Sequence, residues 1–377
     1  MAIYRYFAAD LLAPTGLRQI RASLPLSGVA YSEIWNRAGQ LQATIDLRSP
    51  KATRAILDPG RTVIIVERDG VLAWAGPLWS ATPTMDGKAT LQARGFHSYL
   101  EGASSDTGRF VSHRLSTSDA SLPAGQCAMA RVLWVYAQNE GLHGPGANLG
   151  INIPAGPAGV TRDRTWEPWE HQNIGKLLVD LSEVDDGINF RFEHRWSNGS
   201  PVTDLVVTEG LPARTPYVWK LGRNILELDC PIDATGMARR VWMLGEGQNA
   251  EQKQVVRSTL TPGWPLIETV DRSHTTVSDL GTLAGWADEQ LRRRATAAVL
   301  PRIKVLAGPD PRLGSWRPGD EVQVVAKLPG TPPGGLLDLA GYYRIAGWTV
   351  TVEDPGPDRD RSSPIDDVVA VELAAAA

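Results

Sequence analysis

The sequence runs to 377 residues, 42% hydrophobic and 21% charged, with a formal net charge of −4. Its length exceeds what one core usually organises, so two or three domains are expected. No stretch approaches the roughly 20 uninterrupted apolar residues of a membrane span, and acidic and basic residues alternate without a basic face for phosphates, which excludes a membrane-spanning chain and a dedicated nucleic-acid binder.

The first residues, Met1 to Tyr6, lack the basic, apolar and small-residue order of a secretory signal, so synthesis in the cytoplasm is expected. Cys127 and Cys230 are too few for a disulfide framework and have no zinc spacing; both are expected as buried, small apolar residues. The 37 glycines and 27 prolines exceed the roughly 12% of average proteins, which suits many short strands joined by turns.

Strand signals open the chain. Leu41, Ala43, Ile45 and Leu47 alternate with polar residues, as in a half-buried strand. Val63 to Val66 leads through Arg68-Asp69-Gly70 into Val71 to Trp74, and Asp86-Gly87 opens the strand Ala89 to Arg94. Asp-Gly supplies the positive φ of a tight hairpin. Residues 1–105 therefore read as a first antiparallel β-barrel.

Residues 106–220 read as an α+β insert. Ala124 to Glu140 predicts a helix, and Ile174, Leu177, Leu178 and Leu181 form a helical stripe closed by Asp185-Asp186-Gly187. Ile188, Phe190, Phe192, His194 and Trp196 alternate with polar residues, and Asn198-Gly199 turns the chain toward Leu205 to Val207. Gly141 to Gly159, rich in Gly, Pro and Asn, predicts an exposed loop.

Residues 221–377 read as a second β-barrel carrying a helix at 278–298. Strands are expected at Asn224 to Leu228, Arg239 to Leu244, Pro265 to Asp271, Glu321 to Val325, Tyr342 to Val352 and Val368 to Leu373. The helix has the stripe Leu280, Ala284, Ala287 and Leu291, with Asp288–Arg292 and Glu289–Arg293 as i,i+4 pairs. Asp354 to Asp367 predicts an acidic, proline-rich loop, and Ala374 to Ala377 a disordered end. The fold class expected overall is mainly β with an α+β insert.

An internal repeat joins the two β regions. Pro59-Gly60 and the strand Val63 to Val66 match Pro318-Gly319 and Val322 to Val325. Each copy continues into a strand containing Ala-Gly, at Gly76 and Gly347, and then a third strand, Ala89 to Arg94 or Val368 to Leu373. On this alignment the second hairpin carries extra residues, mostly Leu328 to Leu339. Their Leu336, Leu337 and Leu339 make Lys327 to Gly341 an expected exposed contact with another chain.

Val63 to Trp79, Gly95-Phe96-His97-Ser98-Tyr99-Leu100, the helix at 278–298, and Trp316 to Asp320 with Tyr343 to Trp348 resemble minor tail proteins of phages infecting actinobacteria. That group is related to the baseplate hub at the tail tip of siphophages and contractile phages. The resemblance implies a homotrimer of two tube-like β-barrel domains plus inserts. It further implies a virion structural protein that caps the tail tube, anchors distal fibres or adhesins, meets the tape measure protein and forms part of the genome ejection conduit. DNA would pass through without specific binding, and this chain would not insert into a membrane. Many relatives continue into a peptidase or lysozyme-like region; this sequence stops after Leu373, so no wall-cutting activity is expected.

No enzyme chemistry emerges from the residues. The six histidines (97, 113, 143, 171, 194 and 274) form no HExxH or Cys/His cluster, so no catalytic, cofactor or metal residue is assigned. His194 reads as a core histidine, and Glu183, Asp185 and Asp186 as a solvated helix end rather than a glycosidase pair. No GxSxG elbow is present; Gly144 to Gly150 misses the dinucleotide fingerprint, and Gly245 to Ala250 lacks the P-loop lysine. Of thirteen tryptophans, Trp74, Trp196 and Trp348 fit strand periodicities and read as core or subunit contacts. Arg292 to Arg294 reads as a solvated or intersubunit face. The alternatives are a receptor- or carbohydrate-binding tail protein and a tail-associated cell-wall hydrolase.

Overall fold

A computed structural model describes the chain apart from residues 1, 105, 185, 211–213, 276, 300, 309, 328–329, 331, 333–335, 353–366 and 376–377. The first region supplies β1 (Tyr4–Asp10), β2 (Ile20–Ser23), β3 (Ser27–Ile34), β4 (Gln40–Asp46), β5 (Thr62–Arg68), β6 (Val71–Pro83), β7 (Lys88–Arg94) and the short α1 (His97–Glu101). The middle holds β8 (Leu115–Ser116), α2 (Gln126–Ala137), α3 (Glu140–His143), β9 (Ile151–Asn152), β10 (Thr165–Trp166), α4 (Ile174–Ser182), β11 (Ile188–Ser197) and β12 (Ser200–Glu209). Then come β13 (Arg214–Lys220), β14 (Ile225–Asp229), β15 (Ile232–Asp233), β16 (Arg240–Leu244), β17 (Gln254–Ser258), β18 (Glu268–Asp271) and α5 (Leu280–Arg294). The last strands are β19 (Ala298–Val299), β20 (Arg302–Leu306), β21 (Glu321–Lys327), β22 (Asp338–Thr351) and β23 (Val368–Ala375). The chain is mainly β, with helices confined to inserts.

The Asp-Gly and Asn-Gly turns form as their chemistry demands. Asp69 and Gly70 have φ of 54° and 82°, and Asn198 and Gly199 have 49° and 77°, the left-handed pair of a tight hairpin. On α4 the Asn173 side chain accepts from the Lys176 N–H at 3.1 Å and caps the helix. Its stripe Ile174, Leu177, Leu178 and Leu181 is buried in one core, where α4 packs on α1, α2 and β11, and which also takes Val63, Ile65 and Phe96 from the first β unit.

The two β units have the same strand order. In the first it is β1-β5-β6-β7-β4-β3, and in the second β13-β21-β22-β23-β20-β14. Every neighbouring pair is antiparallel in both, except that β13 lies parallel to β21 where β1 lies antiparallel to β5. Even the bulge recurs: the ladder steps from Leu78↔Ala93 to Ser80↔Gln92 in one unit and from Ile345↔Leu373 to Gly347↔Glu372 in the other. Gly60 (φ 79°) and Gly319 (φ 96°) hold matching turns. Gly60 N–H donates to the Leu78 carbonyl and Gly319 N–H to the Ile345 carbonyl, each at 2.8 Å.

These bonds correct the alignment drawn from sequence. Leu78 corresponds to Ile345, so Gly76 corresponds to Tyr343 rather than to Gly347, and the second hairpin is eight residues longer. Ile64, not Val63, matches Val322: Ile64 and Val322 point into the core shared by the β units, whereas Val63 faces the insert. The turn after Gly60 is one residue longer than that after Gly319.

The units are fused into one 13-stranded sheet, because the outer half of β22 pairs with β3. Trp348 sits opposite Glu33 and Val350 opposite Tyr31, and the Tyr31 and Trp348 rings meet edge to face at 5.7 Å. A buried network adds a second tie: the Asp367 carboxylate accepts from Tyr4 Oη at 2.7 Å and Arg68 Nε at 2.9 Å. One hydrophobic core runs through both units.

Five local expectations are revised. The helix expected at 278–298 ends at Arg294, and Ala298 lies in β19. Its buried face is Leu283, Trp286 and Ala287 against the β16–β18 sheet, while Leu280 is half exposed. Glu289 holds both Arg292 (2.8 Å) and Arg293 (2.5 Å), and Asp288 turns instead to Arg257 at 2.7 Å. The Gly141 to Gly159 stretch is not simply exposed: Ala147, Leu149 and Ile151 are buried, and β9 adds to β12. Ala374 and Ala375 belong to β23. Asp354 to Asp366 of the expected acidic loop, and Asp185, lie outside the described residues.

Candidate functional site

Two stretches of backbone in the fused sheet, one in each β unit, are left without strand partners among the described residues. One is the edge of β6 from Ser80 to Pro83, beyond the reach of β5; the other is the outer edge of β14. Open edges offer N–H and C=O groups to another chain. Their surroundings are apolar: Met85 is fully exposed, and Leu226 and Ile232 are 49% and 47% exposed. The strand correspondence gives these exposures meaning. Met85 occupies the place of Val352, which is buried at the β3–β22 junction, and β14 with its continuation occupies the place of β3. The chain therefore contains one completed junction and the two separated halves of a second.

The residues singled out from sequence fall elsewhere. His194 lines the insert core, with Nδ1 3.1 Å from the Thr203 hydroxyl and its ring 6.0 Å from Phe96; burial and Arg18 push its pKa down to about 3. Trp74 and Trp348 are buried in the shared core, and Trp196 packs edge-on against Phe7 at 5.8 Å and donates to Glu67 at 3.1 Å. Glu183 pairs with Arg37 at 2.8 Å. Cys127 is buried and Cys230 half-buried. In the long hairpin Leu336 is 85% exposed, Leu337 half-buried and Leu339 buried; residues 328–329, 331 and 333–335 lie outside the described residues.

Sequence reading missed two features. His97 is wholly buried with neither ring nitrogen hydrogen-bonded, and burial followed by Arg37 and Arg94 pushes its pKa down to about 3. Neutral when folded, it would bind a proton near 6.5 when unfolded. Its contribution to stability is therefore constant above pH 6.5 and falls as pH drops from 6.5 toward 3, by up to about 1.4 kcal/mol per pH unit. His97→Leu should accordingly flatten the acid side of the stability curve, measured as thermal midpoint between pH 4 and 7; a parallel acid limb in both proteins would refute this. The second feature is a cleft of about 430 Å³ between α4 and α5, lined by Arg164, Lys176, Asp180, His274 and Trp286. There burial, then Glu183, raises Asp180 to about 6. His274 stacks on Trp286 at 3.8 Å, and Arg164 lies 5.2 Å from the same ring, so the indole is occupied from within the protein.

Among the described residues no group of three or more His, Cys, Asp or Glu is placed to hold a metal ion, and no helix is long and apolar enough to cross a membrane.

The fold is of a class seen in phage tail proteins. In particular, the chain is similar over nearly its whole length to the 43 kDa tail protein of prophage MuSo2 from Shewanella oneidensis, with a TM-score of 0.60 at 12% identity over 99% of this chain and 98% of that one. It is similar to the tail protein from Neisseria meningitidis MC58 (TM-score 0.53, 14% identity, 98% and 96% covered). It also resembles prophage tail protein gp18 from Listeria monocytogenes EGD-e (TM-score 0.51, 12% identity, 98% and 94%). At these identities the likeness is one of fold. No family model matches the chain, and no curated protein does by sequence.

Proposed function

We propose that the chain is a virion structural protein of a siphophage of actinobacteria, a trimeric tail-tip hub that caps the tail tube, anchors distal fibres and forms part of the DNA ejection conduit. The observation that carries this is the pair of β units of equal strand order with one junction made and one left open. Repeating the β22–β3 junction between copies sets Ser80 to Thr84 of one chain beside Asp229 to Asp233 of the next. Contact of two different surfaces that closes on itself makes a ring and leaves no free edge. Three copies then present six near-equivalent β units, the number needed to join a threefold tip to a sixfold tube. Residues 1–105 and 221–377, the latter joined by β13, would carry the two barrels, and the rest of 106–220 the insert. Native mass spectrometry tests the closure: a trimer that falls apart on Met85→Asp is expected, and a monomer at micromolar concentration would oppose it.

The raised Asp180 in its cleft is the observation that makes the hydrolase alternative worth a measurement. Arg164, His274 and Trp286 share the cleft with it, as do the carboxylates of Asp163 and Asp279, and Arg164 and Arg37 act to lower it again. A peptidoglycan zymogram is expected to show no clearing. Clearing abolished by Asp180→Asn would replace the structural assignment with an enzymatic one.

A further inference from the structure

Beyond β15 the chain builds a three-stranded sheet, β17-β16-β18, with α5 packed on one of its faces. Val241 and Met243 of β16 are fully buried beneath α5, so the alternation of a strand turns Trp242 to the other face. There it stands opposite Val256 of β17 and Val270 of β18, which are 36% and 44% exposed. The loop between β17 and β18 carries Leu260, Trp264 and Leu266, each at least half exposed. The charges these strands place on that face, Arg240 and Glu268, pair with each other at 3.0 Å, and the Trp242 indole donates to the same carboxylate at 3.0 Å. No charge there lacks a counterpart, so the surface calls for an apolar cover.

Its direction, its attachment and the size of the open junction say what that cover is. The α5 side is turned to the chain's own insert: Val184 joins the core beneath α5, and Arg164 lies 5.2 Å from the Trp286 ring. The opposite face therefore looks away from that insert. The insert lies on the first β unit, taking Val63 and Ile65 into its core, and the second unit stands between it and the open edge of β14. The closed junction also runs one residue past its strands, where Trp35 N–H donates to the Ala346 carbonyl at 2.9 Å. On the strand correspondence Ala346 is matched by Trp79 and Trp35 by Ala234. Ala234 is exposed, and its N–H has no acceptor among the described residues. A second copy that fills the open junction thus brings its Trp79 to the residue from which the three-stranded sheet springs. The ladder of Ser80 to Thr84 on Asp229 to Asp233 is short against the roughly 20–30 residues a side of a stable interface, so further surface has to be covered nearby.

We infer that the outer face of the β16–β18 sheet is a second contact between copies, packing Trp242, Val256 and Val270 of one chain on the first β unit of the next at its α1 end, beside Trp79. Trp79 is half-buried and anchored there, its indole donating to Ser98 of α1 at 2.8 Å. The strand ladder fixes the register of the two copies, and this apolar contact supplies the area that holds them. The inference rests on the ring reading, because it takes a second copy to occupy the open junction.

Photo-crosslinking of the full chain tests it, with Val256→p-benzoylphenylalanine placing the probe on the exposed face. A cross-link between copies is expected, mapping by mass spectrometry to the segment from Trp79 to Glu101. Val256→Asp with Val270→Asp should also raise the concentration at which the trimer dissociates about tenfold or more, because it buries two unpaired carboxylates in the contact. Should that double variant misfold, the cross-link alone decides. A trimer that Met85→Asp breaks but the folded double variant does not, or one whose probe at 256 reacts only within its own chain, would overturn this contact and leave the ring standing. A cross-link between the 256 positions of two copies would overturn it as well, by showing the faces paired with each other. A wild-type chain that stays monomeric would sink the ring reading and this contact together.

Discussion

Replacing Glu321 by alanine is expected to destabilise the second β unit by about 3 to 5 kcal/mol, the range for removing one partner of a buried ion pair. Glu321 and Arg344 are 9% and 3% exposed at their side chains and meet at 2.6 Å. Arg344 also donates to the Gly319 carbonyl, and its guanidinium lies 5.3 Å from the Trp35 ring of the first unit. Burial already lowers the pKa of Arg344, so a lone guanidinium there is costly. The double variant Glu321→Leu with Arg344→Met should be milder than Glu321→Ala, because no charge is stranded. Thermal unfolding followed by tryptophan fluorescence reads both; a single variant no worse than the double would show that the pair is not the lock of the Gly319 turn.

The second large effect is expected at Asp367. Its carboxylate is fully buried and takes bonds from Arg68 Nε and Tyr4 Oη, both in the first β unit, although it precedes β23 of the second. Asp367→Ala removes two bonds to a charged acceptor, a loss of about 2 to 3 kcal/mol. The loss falls on the contact between units, so the variant should split one unfolding transition into two in calorimetry. A single transition at the wild-type midpoint would show that the β3–β22 ladder alone joins them.

Much of this architecture was legible in the sequence, and the errors have physical causes. The alternation of Ile188 to Trp196 gave β11 because that strand is buried on one face. The repeat was visible, but its register was not. All of Thr62 to Glu67 is buried, and a strand buried on both sides has no period to show which residues face the shared core. Matching glycines misled for a related reason: Gly76 is required where an added Cβ would lie 2.1 Å from the Arg94 carbonyl oxygen, whereas Gly347 lies beyond the bulge, near the Glu33 carbonyl. On α5, Ala287 and Leu291 of the expected stripe pack against the sheet, but Leu280 opens the helix and stays half exposed, and Leu283 and Trp286 carry packing the stripe did not include. The open edges could not be read at all. They are defined by which strands lack a neighbour, a property of pairings between residues some three hundred positions apart, as at β3 and β22.

The account rests on the open junction being filled by a second copy, and a cryo-EM map of the assembled particle tests that most directly. It predicts three chains in a closed ring of six β units, with intramolecular β22–β3 junctions alternating with intermolecular ones between Ser80 to Thr84 and Asp229 to Asp233. A monomer or dimer in the particle, or a ring in which those two edges face solvent, would contradict it.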